Sequence, residues 1–174
     1  MTIFIIMGVS GCGKSTIGQA LADRLGCPFY DGDHFHPPPN VAKMAGGQPL
    51  TDEDRIPWLA TLHEMMRAHE IEGETAVFAC SALKKIYRDQ LQDGLTTVQF
   101  IYLQGSFDLF WERMQARQGH YMKAPMLQSQ FDTLEPPGPA EALTIAADAD
   151  VDAILTLIQR INIKDYADGA DSNR

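Results

Sequence analysis

Cysteine, aromatic residues and basic charge are all scarce in this chain of 174 residues. The three cysteines, Cys12, Cys27 and Cys80, are odd in number and lack metal-type spacing. They lie beside or inside apolar segments, as reduced thiols acting as small apolar side chains do. Against 23 Asp and Glu there are only 14 Lys and Arg, for a formal net charge of −9. A field of that sign repels polyanions and excludes a nucleic-acid binder, whose footprint needs a basic face. A small acidic ligand is still admissible where basic residues cluster. No apolar run approaches the roughly 20 residues of a membrane helix, and Met1 leads almost directly into Ile3-Phe4-Ile5-Ile6-Met7 without a charged leader. The expectation is a cytoplasmic protein with neither membrane nor nucleic-acid partner. Its length suits a single domain over 1–163, with a polar tail over 164–174.

What the chain does carry, near its start, is glycine at fixed spacing. Gly8-Val9-Ser10-Gly11-Cys12-Gly13-Lys14-Ser15 fits the phosphate-binding loop G-x-x-x-x-G-K-S/T at every fixed position. The apolar run 3–7 before it has the character of a buried strand, and Ile17, Ala20, Leu21 and Leu25 after it repeat at helical spacing. Strand, loop and helix thus follow in the order the motif needs. Glycine lets backbone N–H groups surround phosphate oxygens at a helix N-terminus. Lys14 adds a mobile positive charge for the β- and γ-phosphates, and the Ser15 hydroxyl is placed to ligate Mg²⁺. Thr16, in the first helical turn, is counted with the nucleotide-binding residues. A thiol pKa lowered by the helix N-terminus would make Cys12 oxidation-sensitive; the plainer reading is a loop filler.

Further apolar segments predict strands at Pro28-Phe29-Tyr30, Ala76-Val77-Phe78-Ala79-Cys80, Val98 to Leu103 and Leu143 to Ala146. Helical patterns separate them. Trp58, Leu59, Leu62, Met65 and Met66 follow Pro57, placed as in a first turn. Phe107 to Met114 follow a possible Ser106 cap, and Val151, Ile154, Leu155, Ile158 and Ile161 follow Asp150. Alternating strands and helices imply an α/β fold with a mostly parallel sheet covered on both faces, with ligands at the carboxyl ends of the strands. Two long segments, His34 to Arg55 and Gly119 to Pro139, are rich in Pro or Gly and suit substrate clamps or lids.

At the strand ends, Asp31-Gly32-Asp33-His34-Phe35-His36 brings two carboxylates and two imidazoles toward the γ-phosphate. Phosphoryl transfer to an alcohol needs a group that accepts the hydroxyl proton and carboxylates that support the metal. Asp33 is the candidate base, Asp31 the metal-side ligand with Ser15, and His36 a substrate hydrogen-bonding residue; a plain Asp-Gly turn is the alternative. No aspartate closes the strand 77–80, so the usual second metal carboxylate is missing there. If a helix begins near Ser81, Lys84 and Arg88 share a face and form a positive patch for an anionic acceptor; a solvated face is the alternative. Arg113 and Arg117 are again four apart. On a lid they would close over the triphosphate, although spacing alone equally fits a surface pair.

The combination Asp31-Gly32-Asp33, His36-Pro37, Asn40, Lys43-Met44, Gly47, Pro49-Leu50-Thr51-Asp52, Asp54-Arg55 and Pro57-Trp58-Leu59 closely resembles the gluconate kinase family. So do Cys80-Ser81-Ala82-Leu83-Lys84 with Tyr87-Arg88-Asp89, Gly119-His120, and Ser129-Gln130-Phe131 with Leu134-Glu135. The resemblance runs to about Pro137. It implies ATP-dependent phosphorylation of the 6-hydroxyl of D-gluconate, a three-layer P-loop kinase fold with a central five-stranded parallel sheet and a lid over about 113–137, and a homodimer. It also implies Asp33 as the base, with Lys14 and Arg117 as further catalytic groups. His36, Arg55, Lys84, Arg88 and His120 would lie around the gluconate, and Arg113 and Arg117 on the lid. Tyr121 stands where many members have phenylalanine. Kinases of another small acid such as shikimate, nucleotide kinases, and a non-catalytic ATP-dependent switch are the competing readings.

Overall fold

The computed structural model describes residues 1–116 and 124–160. Five strands, β1 (Ile3–Met7), β2 (Phe29–Asp31), β3 (Ala76–Ala79), β4 (Val98–Gln104) and β5 (Ala142–Ala146), form one sheet in the order β2-β3-β1-β4-β5. All pairings are parallel, with Ile5 opposite Phe78 on one side and Phe100 on the other. β1 is central and all five of its residues are buried, which explains its unbroken apolar run: a strand covered on both faces has no reason to alternate.

Helices α1 (Lys14–Leu25), α2 (Pro38–Ala45), α3 (Asp52–Glu72), α4 (Lys85–Gln92), α5 (Phe107–Ala116) and α6 (Ala124–Thr133) cover the sheet, with α7 over residues 151–160. The core joins the strands to Leu21 of α1, Trp58 and Leu62 of α3, Phe110 of α5 and Ile158 of α7. The predicted strands are all present; β1 has the predicted bounds, and each of the others differs by one residue at one or both ends.

Four local expectations are corrected. Pro57 is not in the first turn, because α3 already begins at Asp52 under a capping box in which Thr51 and Asp54 bond each other's backbone N–H. The segment 34–55 is not irregular throughout: a 3₁₀ turn (Gly32–Phe35) and α2, started by Pro38, occupy much of it. Within 119–139, α6 takes up residues 124–133. Finally, no helix starts near Ser81. Ala82 has a φ of 44°, the one positive value on a non-glycine among the described residues, and the chain turns there before α4 begins at Lys85.

Candidate active site

The loop after β1 is shaped by contacts a side chain would break. A Cβ on Gly11 would lie 2.9 Å from the Phe110 carbonyl oxygen, at a φ of +80° that side-chain-bearing residues rarely adopt. Gly13, at φ +101°, caps α1 and faces open space, so the amides that begin the helix are uncovered. Lacking helical acceptors, these N–H groups form an anion site reinforced by the helix dipole. Lys14 Nζ folds back over the loop onto the carbonyls of Gly8 and Val9, each at 3.1 Å.

The Ser15 hydroxyl donates to Asp31 Oδ2 at 2.6 Å, while Asp31 Oδ1 accepts from the Asp33 N–H at 3.1 Å. The sequence-predicted metal-side pair is thus in contact, and the carboxylate comes from β2 rather than from the end of β3. The same Asp31 bond caps the 3₁₀ turn that presents Asp33, whose side chain is 73% exposed and 3.9 Å from His36 Nε2. His36 itself is nearly enclosed, stacked on Trp58 with ring centroids 4.1 Å apart. Trp58 Nε1 donates to the Gly32 carbonyl at 2.7 Å, which locks the stack to the turn. Burial pushes the His36 pKa below its ordinary value; Asp33 pulls it up and Arg55 pushes it down. His36 is therefore a neutral hydrogen-bonding ring near pH 7.

Lys14, Asp33, His36 and Arg55 line one cavity of about 280 Å³, together with Ser10, Trp58, Ser81, Ser129 and Gln130. That is at the small end of ligand clefts, about 300–1,000 Å³, and suits a small metabolite. Arg55 sits in the first turn of α3, where one guanidinium nitrogen, Nη1, donates to the Leu50 and Thr51 carbonyls and to Tyr87 Oη. Its Nε and Nη2 donors have no protein partner among the described residues. Tyr87 Oη in turn donates to Asp52.

The structure does not bring Lys84 and Arg88 to this cavity. Lys84 precedes α4 and its Nζ is held by both Asp52 oxygens at 2.8 and 2.9 Å. Arg88 turns inward and is 1% exposed, bidentate on Glu141 at 2.6 and 3.2 Å and bonded to the carbonyls of Ala82, Leu83 and Glu135. The expected positive face dissolved because α4 starts four residues later than Ser81, which leaves Arg88 over the core. Cys12 is 1% exposed, so the access that oxidation would need is missing, and burial pushes the Cys80 thiol up to about 12.

A second cavity, of about 220 Å³, opens on the other flank of the loop. Gly11, Cys12, Gly13 and Thr16 line it with Arg113, Ala147, Val151 and Ile154. Arg113 donates to the Ala147 carbonyl at 2.9 Å and so belongs to this flank. Arg117, His120 and Tyr121 lie outside the described residues. Sequence reasoning assigned no role to Gln130, whose Oε1 accepts from the Ser10 N–H at 2.7 Å; its place in the segment Ser129-Gln130-Phe131 of the family resemblance was the signal.

Comparison with known proteins agrees with this geometry. A family model described as shikimate kinase matches residues 10–136. The thermoresistant gluconokinase of Escherichia coli is 45% identical over 148 residues, covering 85% of each chain. The gluconokinase of Gluconobacter oxydans is 44% identical, covering 92% of each. Among solved structures, a gluconokinase from Sinorhizobium meliloti superposes with a TM-score of 0.81 at 41% identity, covering 89% of this chain and 87% of that one. A shikimate kinase from Acinetobacter baumannii, 16% identical with a TM-score of 0.54, shares the fold. With identity of this order extending over most of the chain, and a P-loop opening onto both cavities, the chain belongs to the gluconokinase family of P-loop kinases.

Proposed function

We propose that the protein transfers the γ-phosphoryl group of ATP to the 6-hydroxyl of D-gluconate, giving 6-phospho-D-gluconate and ADP. The observation that carries this reading is the convergence of Lys14, Asp33 and Arg55 on one small cavity in a chain of net charge −9. Arg55 offers its unpaired edge to the carboxylate of the acid, a planar fork suited to a planar anion. That pairing leaves the far hydroxyl toward the phosphate loop. Asp33 accepts the hydroxyl proton as the new O–P bond forms and the bond from phosphorus to the β-phosphate oxygen breaks. Lys14 and the amides of the loop stabilise charge on the transferring group and on departing ADP. The adenosine half fits the second cavity, with Arg113 beside it.

Ser15 and Asp31 form a hydroxyl and carboxylate pair of hard oxygen donors, the chemistry Mg²⁺ selects. Bound there, the ion would neutralise phosphate charge. The family resemblance adds Arg117 and His120 as lid and acceptor residues, together with the lid itself and a homodimer. A cytoplasmic location fits the three free cysteines, and no helix among the described residues is long and apolar enough to cross a membrane.

The test is ADP production with purified protein, ATP and Mg²⁺, comparing D-gluconate with shikimate, other sugar acids, glucose and nucleoside monophosphates, and weighing the product by mass spectrometry. Turnover on gluconate with one added phosphoryl group is expected. Turnover on shikimate instead would replace the acceptor, and ATP binding without transfer to any acceptor would favour a switch. A solution mass equal to one chain would remove the homodimer.

A further inference from the structure

Among the described residues, one side chain of helix α6 is hydrogen-bonded to the phosphate loop, and the chemistry of that contact fixes more than its distance. The Ser10 N–H donates to the amide of Gln130 at 2.7 Å. A backbone N–H can only donate, so the end it meets must be the carbonyl Oε1, and the opposite end must be the NH₂ group. That NH₂ group has no protein acceptor among the described residues, and it is not sealed away, since the buried side-chain polar atom without a partner there is Gln99 Oε1. Gln130 lines the cavity shared by Lys14, Asp33 and Arg55. On the same helix, Thr133 cannot play this part, because its hydroxyl already donates to the Ser129 carbonyl at 2.7 Å.

The charged groups of the cavity match the charged and reacting parts of the ligands: Lys14 the phosphates, Arg55 the carboxylate, Asp33 the attacking hydroxyl. A sugar acid also brings a row of neutral hydroxyls. A neutral donor suits them, and a carbonyl turned toward Ser10 presents lone pairs that phosphate oxygens avoid. We propose that Gln130 is a specificity-determining residue of the acceptor site, its carbonyl anchored to the phosphate loop and its NH₂ group donating to one chain hydroxyl of the polyhydroxy acid. This rests on the gluconate reading above.

The experiment compares kcat/KM for gluconate with that for gluconates lacking a single hydroxyl at C2, C3, C4 or C5, in the wild type, Gln130→Met and Gln130→Glu. Ratios within one variant cancel any loss of stability or of ATP affinity. In the wild type, removing the partner hydroxyl is expected to cost about tenfold or more, since the NH₂ group is left unpaired. In Gln130→Met, which has neither donor nor acceptor there, the ratio at that one position falls to about unity, and in Gln130→Glu, whose carboxylate can only accept from the hydroxyl, it changes, while the other three stay as they were. If all four ratios survive in both variants, or if only the ATP dissociation constant moves, Gln130 does not select the acceptor, although the kinase reading stands. A wild type inactive on gluconate would overturn the acceptor and this role together.

Discussion

Replacing Arg88 with methionine separates a structural arginine from a substrate-binding one. The side chain is 1% exposed and holds Glu141 with two parallel bonds, at 2.6 and 3.2 Å, while Nη1 reaches three carbonyls. Methionine fills much of the volume but leaves a largely buried carboxylate without its cation. Breaking a pair of this kind by removing one partner costs about 3–5 kcal/mol. For a domain of this size, at about 2–4 °C per kcal/mol, the midpoint of thermal unfolding falls by roughly 6–20 °C. The double variant with Glu141→Leu recovers part of the loss, because no orphaned charge is left. Calorimetry or thermal circular dichroism measures the midpoint. Steady-state kinetics well below it measures the gluconate KM, which is expected to be near that of the wild type. An unchanged midpoint with a raised gluconate KM would refute the structural role and return Arg88 to the acceptor site.

Asp33→Asn is expected to keep ATP binding while lowering phosphoryl transfer by about 10²–10⁴-fold, the usual contribution of a positioned base; rapid-quench single turnovers decide it, and near-normal transfer removes the assigned role. Gly11→Ala forces a residue with a Cβ into φ +80°, 2.9 Å from the Phe110 oxygen. The left-handed conformation alone costs about 1–2 kcal/mol, so ATP affinity, read by titration calorimetry, falls by about tenfold or more. Lys43 and the Thr51 backbone hold the Asp54 carboxyl at about 2, below the 3.8 expected in the unfolded chain. With the folded value depressed, the stabilisation is present above pH 3.8 and is lost as pH falls from there toward 2. Urea titrations across that window are expected to show a steeper acid loss in the wild type than in Asp54→Asn.

The strands and the loop were legible because their signals are local. A buried parallel strand writes itself as consecutive apolar residues, and the phosphate loop needs glycine and lysine at fixed offsets. Asp31 and Asp33 were legible for a related reason: they close a strand whose carboxyl end must face the loop. What escaped depends on where the chain turns. Lys84 and Arg88 read as a pair on one helical face, but the left-handed Ala82 delays α4, and Arg88 then faces inward while Lys84 meets Asp52. The His36 and Trp58 stack joins residues 22 positions apart, on a turn and a helix that no short-range pattern relates. Gln130 lies 120 residues from the N–H it binds. That contact is visible only once α6 is seen against the loop.

The phosphate loop divides two compartments, with Ser10 and Lys14 facing one cavity and Gly13 and Thr16 the other. A single molecule that fills both must cross the loop, where the amides at the start of α1 and Lys14 favour an anionic bridge. A bisubstrate inhibitor, with a sugar acid joined to adenosine through a short run of phosphates, meets that demand. Once one end is seated, the other binds at a high effective concentration. Its selectivity would come from the acceptor end, where His36, Arg55 and Gln130 give the wall its particular shape.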